Sequence, residues 1–141
     1  MDFAYNDEQK EIIKVVRDLV EKEIVPYASE MDETGKLHEG LLEKLAAQGL
    51  LGVAIPEEFG GAGLDAITIA AIYEELGKGC AGVATTVAAN ALASYPVIIA
   101  GNDDQKKRYF DIINEDNLAA FALTEPGTGS DAGSVSTRAM K

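Results

Sequence analysis

The chain has 141 residues, of which 47% are hydrophobic and 26% are charged, and 24 acidic against 12 basic residues give a formal net charge of −12. This length and composition predict a soluble globular protein, about one domain long, with a core of its own. The acidic balance argues against binding to nucleic acid or to acidic membrane surfaces, since both need lysine and arginine to neutralise phosphates.

A single cysteine, Cys80, leaves no intrachain disulfide and fits a reducing compartment. With His38 as the only histidine, a zinc site built from histidine and cysteine is disfavoured. The first ten residues are polar and acidic, unlike a signal or transit peptide, and we expect charges or glycines to interrupt every apolar run before it can span a bilayer. We expect a cytoplasmic protein, or a mitochondrial matrix protein if a transit peptide was removed.

The first helix is predicted to begin at Asn6, whose side chain can cap it, with Gln9 at the capping-box position. Pro26 is expected to bend or interrupt this helix, and Gly35 marks the next break. The helix carries apolar residues at spacings of three and four, which form one stripe: Ile12, Val16, Leu19, Val20 and Ile24.

A second helix is predicted over residues 39–48, closed by Gly49. Residues 50–64 read as an irregular, glycine-rich loop held on the core by apolar anchors. The pair Gly61 and Gly63 could suggest a dinucleotide-binding turn. Such a turn needs a third glycine and a preceding strand, and the sequence shows neither, so a dinucleotide-binding turn is disfavoured here.

Three further helices follow in the pattern. One starts at Asp65 or Thr68 and ends at Gly77 or Gly79, and a long, almost uncharged one runs from Ala81 to Ala100. A helix that is apolar all round is predicted to lie in the middle of a bundle. After it, residues 101–103 cap a charged amphipathic helix.

The pattern changes after Asn117. Residues 118–123 form an uninterrupted apolar run with a turn signal behind it, which predicts a short buried strand, and residues 135–139 alternate as a second strand would. We therefore predict a mainly α fold with an up-and-down helical domain over residues 1–116, and the beginning of a β domain over residues 117–141. Because two strands make a marginal sheet at best, we expect this β domain to be incomplete.

The loop between these strands concentrates glycines and hydroxyls, and Gly127, Gly129 and Ser130 could face an anion such as phosphate. An ordinary glycine-rich turn explains the same composition equally well. Glu125 and Asp131 are disfavoured as a catalytic carboxylate pair, because carboxylates in such turns commonly accept bonds from nearby amides.

Residues 122–134 have the sequence ALTEPGTGSDAGS. This segment resembles the flavin-binding signature of the acyl-CoA dehydrogenases and agrees with it at every position. The resemblance extends through nearly the whole chain. Residues 57–63 look like the glycine loop of the family, and residues 100–107 look like its helix junction.

The resemblance implies FAD as cofactor and an acyl-CoA thioester, of short or medium chain, as substrate. In the family, a glutamate removes the α proton while the β hydrogen leaves as hydride to N5 of FAD. It also implies that Phe121, Ala122, Leu123 and Thr124 lie against the flavin. Gly129 and Ser130 would lie at the pyrophosphate, and Ser130 also near the CoA portion of the substrate. The wall of the acyl pocket would be formed by four small residues of the long helix: Thr85, Thr86, Ala88 and Ala89.

The family's partner, electron transfer flavoprotein, is expected to dock on an apolar notch of the helical domain, and the full-length protein is expected to be a homo-oligomer. The family's catalytic glutamate lies in a C-terminal domain, so we expect no catalytic residue in this chain and no activity from it alone. Two alternatives stay open: a non-catalytic helical docking module of the same fold, and an acyl-CoA oxidase or flavin monooxygenase of the same superfamily.

Overall fold

The computed structural model describes residues 4–114 and 117–140, and this part of the chain is built mainly from helices. The predicted mainly α class, with helices in the predicted order, is confirmed. Short helical turns connect the α-helices, whose bounds are α1, Asp7–Leu19; α2, Ala28–Thr34; α3, Leu41–Ala47; α4, Ala66–Gly79; α5, Ala81–Ala100; and α6, Asp103–Ile113.

Helix α1 begins where the sequence predicts, because Asn6 and Gln9 cap it reciprocally. The Gln9 amide donates to Asn6 Oδ1 at 2.8 Å, and the Asn6 amide donates to Gln9 Oε1 at 3.0 Å. Beyond Leu19 the chain continues as the π-helical turn Val20–Ile24 and the 3₁₀ turn Val25–Tyr27. Pro26 lies in that last turn, so the predicted interruption is confirmed.

The loop over residues 50–64 is held on the core by four buried side chains: Leu50, Leu51, Val53 and Ile55. Main-chain bonds close it: the Gly63 amide donates to the Ile55 carbonyl at 2.8 Å, and the Leu64 amide donates to the Val53 carbonyl at 3.0 Å. Gly61 lies so close to this turn that an added Cβ would be 2.2 Å from the Ile55 oxygen. Only glycine fits there.

Asp65, not Thr68, caps helix α4. Its carboxylate accepts the amides of Ile67 and Thr68 at 2.8 and 3.1 Å, and the Thr68 hydroxyl at 2.6 Å. These bonds, above all the one from the Thr68 hydroxyl, lower the pKa of Asp65.

An ion-pair cluster joins α1 to α4. Arg17 on α1 binds the Glu75 carboxylate with two nitrogens, at 2.8 and 3.1 Å, and Lys78 adds a bond of 2.7 Å. The Glu75 side chain is only 6% exposed. The bond from Arg17 is the main reason why the pKa of Glu75 falls to about 2.

Helix α5 is buried on one side only, so the prediction of a helix buried all round is wrong. Val83 and Val87 are fully buried, whereas Leu92 is 47% and Ile99 is 80% exposed. The physical reason is that α5 packs on α4 and on the turn Leu50–Gly52, while no described residue covers its other side.

The expectation about apolar runs also needs correction at α5. Among the described residues this helix is long and apolar enough to cross a membrane, by length and composition alone. Core helices of soluble proteins meet the same criterion, but they are mostly buried, whereas 33% of this stretch is buried here.

Helix α6 begins with a second reciprocal cap, between Asn102 and Gln105, with both bonds at 2.9 Å. Phe110 and Ile113 from this helix pack with Ile55 in a small second core. The Asn114 side chain then donates to the Phe59 carbonyl at 2.6 Å, which ties the end of α6 to the loop over residues 50–64.

The two predicted strands are not formed in the described residues after α6. Residues 118–123 are mostly exposed, and the β pairing there is one isolated bridge between Glu125 and Thr128. A strand is stabilised by ladder bonds to a neighbour, and the described residues supply no neighbour along either segment. The boundary between residues 116 and 117 falls at the edge of the described part, and the two-domain division stays a prediction.

Candidate functional site

Two side chains attach the chain after α6 to the helical part: Asn117, whose Nδ2 donates to the Ile112 carbonyl at 2.7 Å, and Asn90 on α5. The Ala119 amide donates to Asn90 Oδ1 at 2.6 Å, and Asn90 Nδ2 donates to the Leu51 carbonyl at 2.8 Å. The Ala119 side chain also packs against the second core. The candidate flavin-facing residues therefore begin two positions beyond an anchored residue.

The glycine-rich loop folds on itself around Glu125. Its carboxylate accepts the Ser136 amide at 2.6 Å, the Ser136 hydroxyl at 2.7 Å and the Thr137 amide at 3.2 Å. These bonds, first that from the Ser136 hydroxyl, lower the pKa of Glu125. A carboxylate held as an acceptor in this way organises the loop, as the sequence predicts for carboxylates in such turns.

Asp131 has a similar internal role. The Ser134 hydroxyl donates to its carboxylate at 2.5 Å and the Ser134 amide donates to its carbonyl at 3.0 Å. Thr128, the buried residue of the loop, donates its hydroxyl to the Ser134 carbonyl at 3.2 Å. Both acidic side chains therefore accept bonds from within the loop.

The candidate phosphate contacts are the hydrogen-bond donors of the loop that form no bond within the loop itself. Within the described residues, the amides of Gly129 and Ser130 and the hydroxyls of Thr124 and Ser130 have no hydrogen-bond partner, and these residues are exposed. A Cβ added at Gly127 or Gly129 would meet no atom within 4 Å, so a ligand can approach the main chain. Free amides and hydroxyls beside open space fit the pyrophosphate of a dinucleotide.

The candidate flavin-facing residues lie at the surface of the described structure. Phe121 is 41% and Leu123 is 43% exposed, and Ala122 and Thr124 are exposed as well. An exposed aromatic and aliphatic pair next to free polar donors suits a ligand with a flat ring system and a charged tail.

The candidate acyl wall lies mainly on the open side of α5, with Thr86 at its edge in a groove beside the buried Val83. Thr85 is exposed, and Thr86, Ala88 and Ala89 are half-buried. Both threonine hydroxyls already donate to their own helix, Thr85 to the Ala81 carbonyl at 2.8 Å and Thr86 to the Gly82 carbonyl at 2.9 Å. The wall therefore presents mainly methyl groups, which suits an aliphatic chain.

An apolar notch lies elsewhere on the surface, between α1, the start of the loop over residues 50–64 and α4. It has a volume of about 350 Å³, and its lining includes Ile12, Val15, Leu19, Gln48 and Leu64. Val15 is 52% exposed at its edge. A notch of this size can take one apolar side chain from a partner protein.

Sequence reasoning missed the role of Asn90. The available signal was one amide side chain in an otherwise apolar helix, because a buried polar group needs partners. The bonded positions, Leu51 and Ala119, are 39 and 29 residues away, and no local pattern identifies them.

The comparisons with known proteins agree on one family. Residues 6–115 match the family model described as acyl-CoA dehydrogenase, N-terminal domain. A 3-(aryl)acrylate reductase of Clostridium sporogenes is 42% identical over 138 residues, which cover 95% of this chain and 36% of that protein.

Two solved structures share the fold. A structure reported for the electron transferring flavoprotein of Acidaminococcus fermentans has a TM-score of 0.85 and 33% identity, covering 95% of this chain and 36% of that one. An acyl-CoA dehydrogenase of Bacillus anthracis complexed with FAD has a TM-score of 0.79 and 37% identity, covering 93% and 23%. The chain spans about a third of the length of the curated relatives it matches.

Proposed function

The chain belongs to the acyl-CoA dehydrogenase family, and on that premise we propose that it is the N-terminal part of an FAD-dependent enzyme that removes hydrogen from the α and β carbons of an acyl-CoA thioester. The observation that carries the proposal is the loop over residues 124–130, whose free amides and hydroxyls stand beside exposed Phe121 and Leu123. This combination fits a flavin dinucleotide better than an isolated phosphate.

Different residues of this segment would contact different parts of the cofactor. Phe121, Ala122, Leu123 and Thr124 would lie against the flavin ring, and Gly129 with Ser130 would donate to the pyrophosphate. Bound FAD would supply the acceptor for the hydride that leaves the β carbon. The described residues provide binding and orientation, and we assign no catalytic residue among them.

The substrate would lie along α5. Thr85, Thr86, Ala88 and Ala89 present methyl groups on a rigid helix, and their small size leaves room for a narrow aliphatic chain. The acyl group would be of short or medium length. Ser130 would also reach the CoA portion, since it is exposed and its hydroxyl has no partner among the described residues.

Electron transfer flavoprotein is the electron acceptor that we propose. The apolar notch around Val15 supports this proposal, because it is preformed, open at the surface and lined mainly by aliphatic residues of α1 and of the segment over residues 48–64. The similarity to the structure from A. fermentans points in the same direction.

The test uses the natural protein that contains this chain. Purified without added flavin, it should be yellow, and its flavin absorbance should bleach under anaerobic conditions when butyryl-CoA or octanoyl-CoA is added. A protein that is colourless after reconstitution with FAD would refute the cofactor proposal and favour a non-catalytic docking module. Bleaching followed by fast, stoichiometric peroxide formation in air would favour an acyl-CoA oxidase.

The reverse reaction is a second candidate, because the 42% identical relative is named for reduction of 3-(aryl)acrylates. Hydrogenation of an α,β double bond involves the same two carbons, and reduced FAD bound by the same residues would supply the hydride. The two directions are separated by assaying reduced flavin with cinnamoyl-CoA and oxidised flavin with 3-phenylpropionyl-CoA. Turnover confined to the first assay would favour a reductase.

A further inference from the structure

Asn90 is fully buried, and its side chain joins two segments that are far apart in the sequence. One is the turn Leu50–Gly52, through the Leu51 carbonyl, and the other is the start of the 118–124 segment, through the Ala119 amide. Both bonds are short, at 2.8 and 2.6 Å. One side chain of α5 therefore meets the helical core and the candidate cofactor segment together.

The chemistry of the two partners fixes the orientation of the Asn90 amide. A carbonyl oxygen can only accept and a main-chain amide can only donate, so Nδ2 must face Leu51 and Oδ1 must face Ala119. A flipped amide would leave all four groups unsatisfied, and this is unfavourable because Asn90 and its bond to Leu51 are buried. The contact therefore has one arrangement.

This contact is also where the 118–124 segment is bonded to the helices. Among the described residues, no other main-chain or side-chain group of the segment forms a hydrogen bond to the helical part. We propose that Asn90 is a positioning residue: it fixes the segment against α5, and so sets where Phe121–Thr124 lie relative to the Thr85–Ala89 wall. This inference rests on the proposed function, since those two sets of residues are its flavin-facing and acyl-facing sides.

The experiment compares three variants of the natural protein. Asn90→Leu removes both bonds and keeps the volume of the side chain. Asn90→Asp keeps an acceptor for the Ala119 amide in either protonation state. Ser94→Ala is the matched control, because Ser94 is equally buried on α5 but its hydroxyl donates only to the Asn90 carbonyl within the same helix.

Two readouts are scored separately. Amide hydrogen exchange at Ala119 should be about tenfold faster in Asn90→Leu than in the wild type, and within about threefold of it in Asn90→Asp and Ser94→Ala. The dissociation constant for FAD should rise about tenfold in Asn90→Leu and stay within about threefold in the other two. Should Asn90→Leu fail to fold, Asn90→Ala removes the same two bonds and is compared with Ser94→Ala in its place.

Several results would overturn the inference. Equal exchange at Ala119 in Asn90→Leu and Ser94→Ala would show that the bond does not hold the segment. Faster exchange with unchanged FAD affinity would reduce Asn90 to a structural tether. A wild-type protein that takes up no flavin would instead overturn the proposed function and the role toward the flavin, while Ala119 exchange would still report the tether.

Discussion

Replacing Glu75 by glutamine is expected to destabilise the protein in a pH-dependent manner. The carboxylate is 6% exposed and accepts bonds from Arg17 and Lys78, which hold its pKa at about 2 against an ordinary value of 4.5. Each pKa unit corresponds to about 1.36 kcal/mol, so the upper limit of the contribution is about 3 kcal/mol. Arg17 and Lys78 are themselves about half exposed, and screening by water should reduce the loss to about 1–2 kcal/mol.

The sign of the pH dependence follows from the depressed pKa. Glu75 stabilises the folded state fully above its unfolded pKa, near 4.5, and this contribution is lost as the pH falls toward 2. The difference between the wild type and Glu75→Gln should therefore be largest at pH 7 and shrink steadily between about pH 5 and pH 2.

The assay is urea unfolding followed by circular dichroism at several pH values. Glu74→Gln is the matched control, because Glu74 is on the same helix and pairs with the same lysine, at 3.3 Å, but is 64% exposed. It should cost less than about 0.5 kcal/mol at pH 7. Equal losses in the two variants, or a loss in Glu75→Gln that does not change with pH, would refute the reasoning.

Three further changes test other parts of the structure. Gly61→Ala should cost about 2–4 kcal/mol in unfolding experiments, because the new Cβ would lie 2.2 Å from a carbonyl oxygen, whereas Gly52→Ala, with 3.7 Å of clearance, should be far milder. Ser130→Ala should weaken FAD binding by about 1–3 kcal/mol in equilibrium dialysis, and an unchanged affinity would count against the pyrophosphate assignment. Val15→Glu should slow reduction of electron transfer flavoprotein at least about tenfold without affecting anaerobic flavin bleaching, while the equally exposed Ile112→Glu should do neither.

Local features of the fold could be predicted because their causes lie within a few residues. The cap at Asn6 needs only Gln9, three positions on, and the cap at Asn102 needs only Gln105. Pro26 interrupts the first helix through its own ring and missing amide. The internal bonding of the Glu125 carboxylate could be anticipated on similar grounds, since its bonds join residues at most twelve positions apart.

Features that depend on distant partners could not be predicted in this way. Arg17 and Glu75 are 58 residues apart, and nothing near either one in the sequence selects the other. For the apolar run over residues 118–123, the local pattern predicts a strand that the structure does not form. Its composition indicates a strand, but strands need pairing, and the described residues give this run one bond, to Asn90.

Helix α5 has a proposed role in binding, although we assign no catalytic residue to it. On its buried side Asn90 holds the 118–124 segment, and on its open side Thr85 and its neighbours present methyl groups. Because a helix transmits position rigidly over one or two turns, the spacing between the proposed flavin and acyl surfaces is set mainly by its geometry. Substitutions that change side-chain volume on the open side should therefore alter which acyl chains bind, whereas substitutions at Asn90 should alter how the flavin is held for all of them.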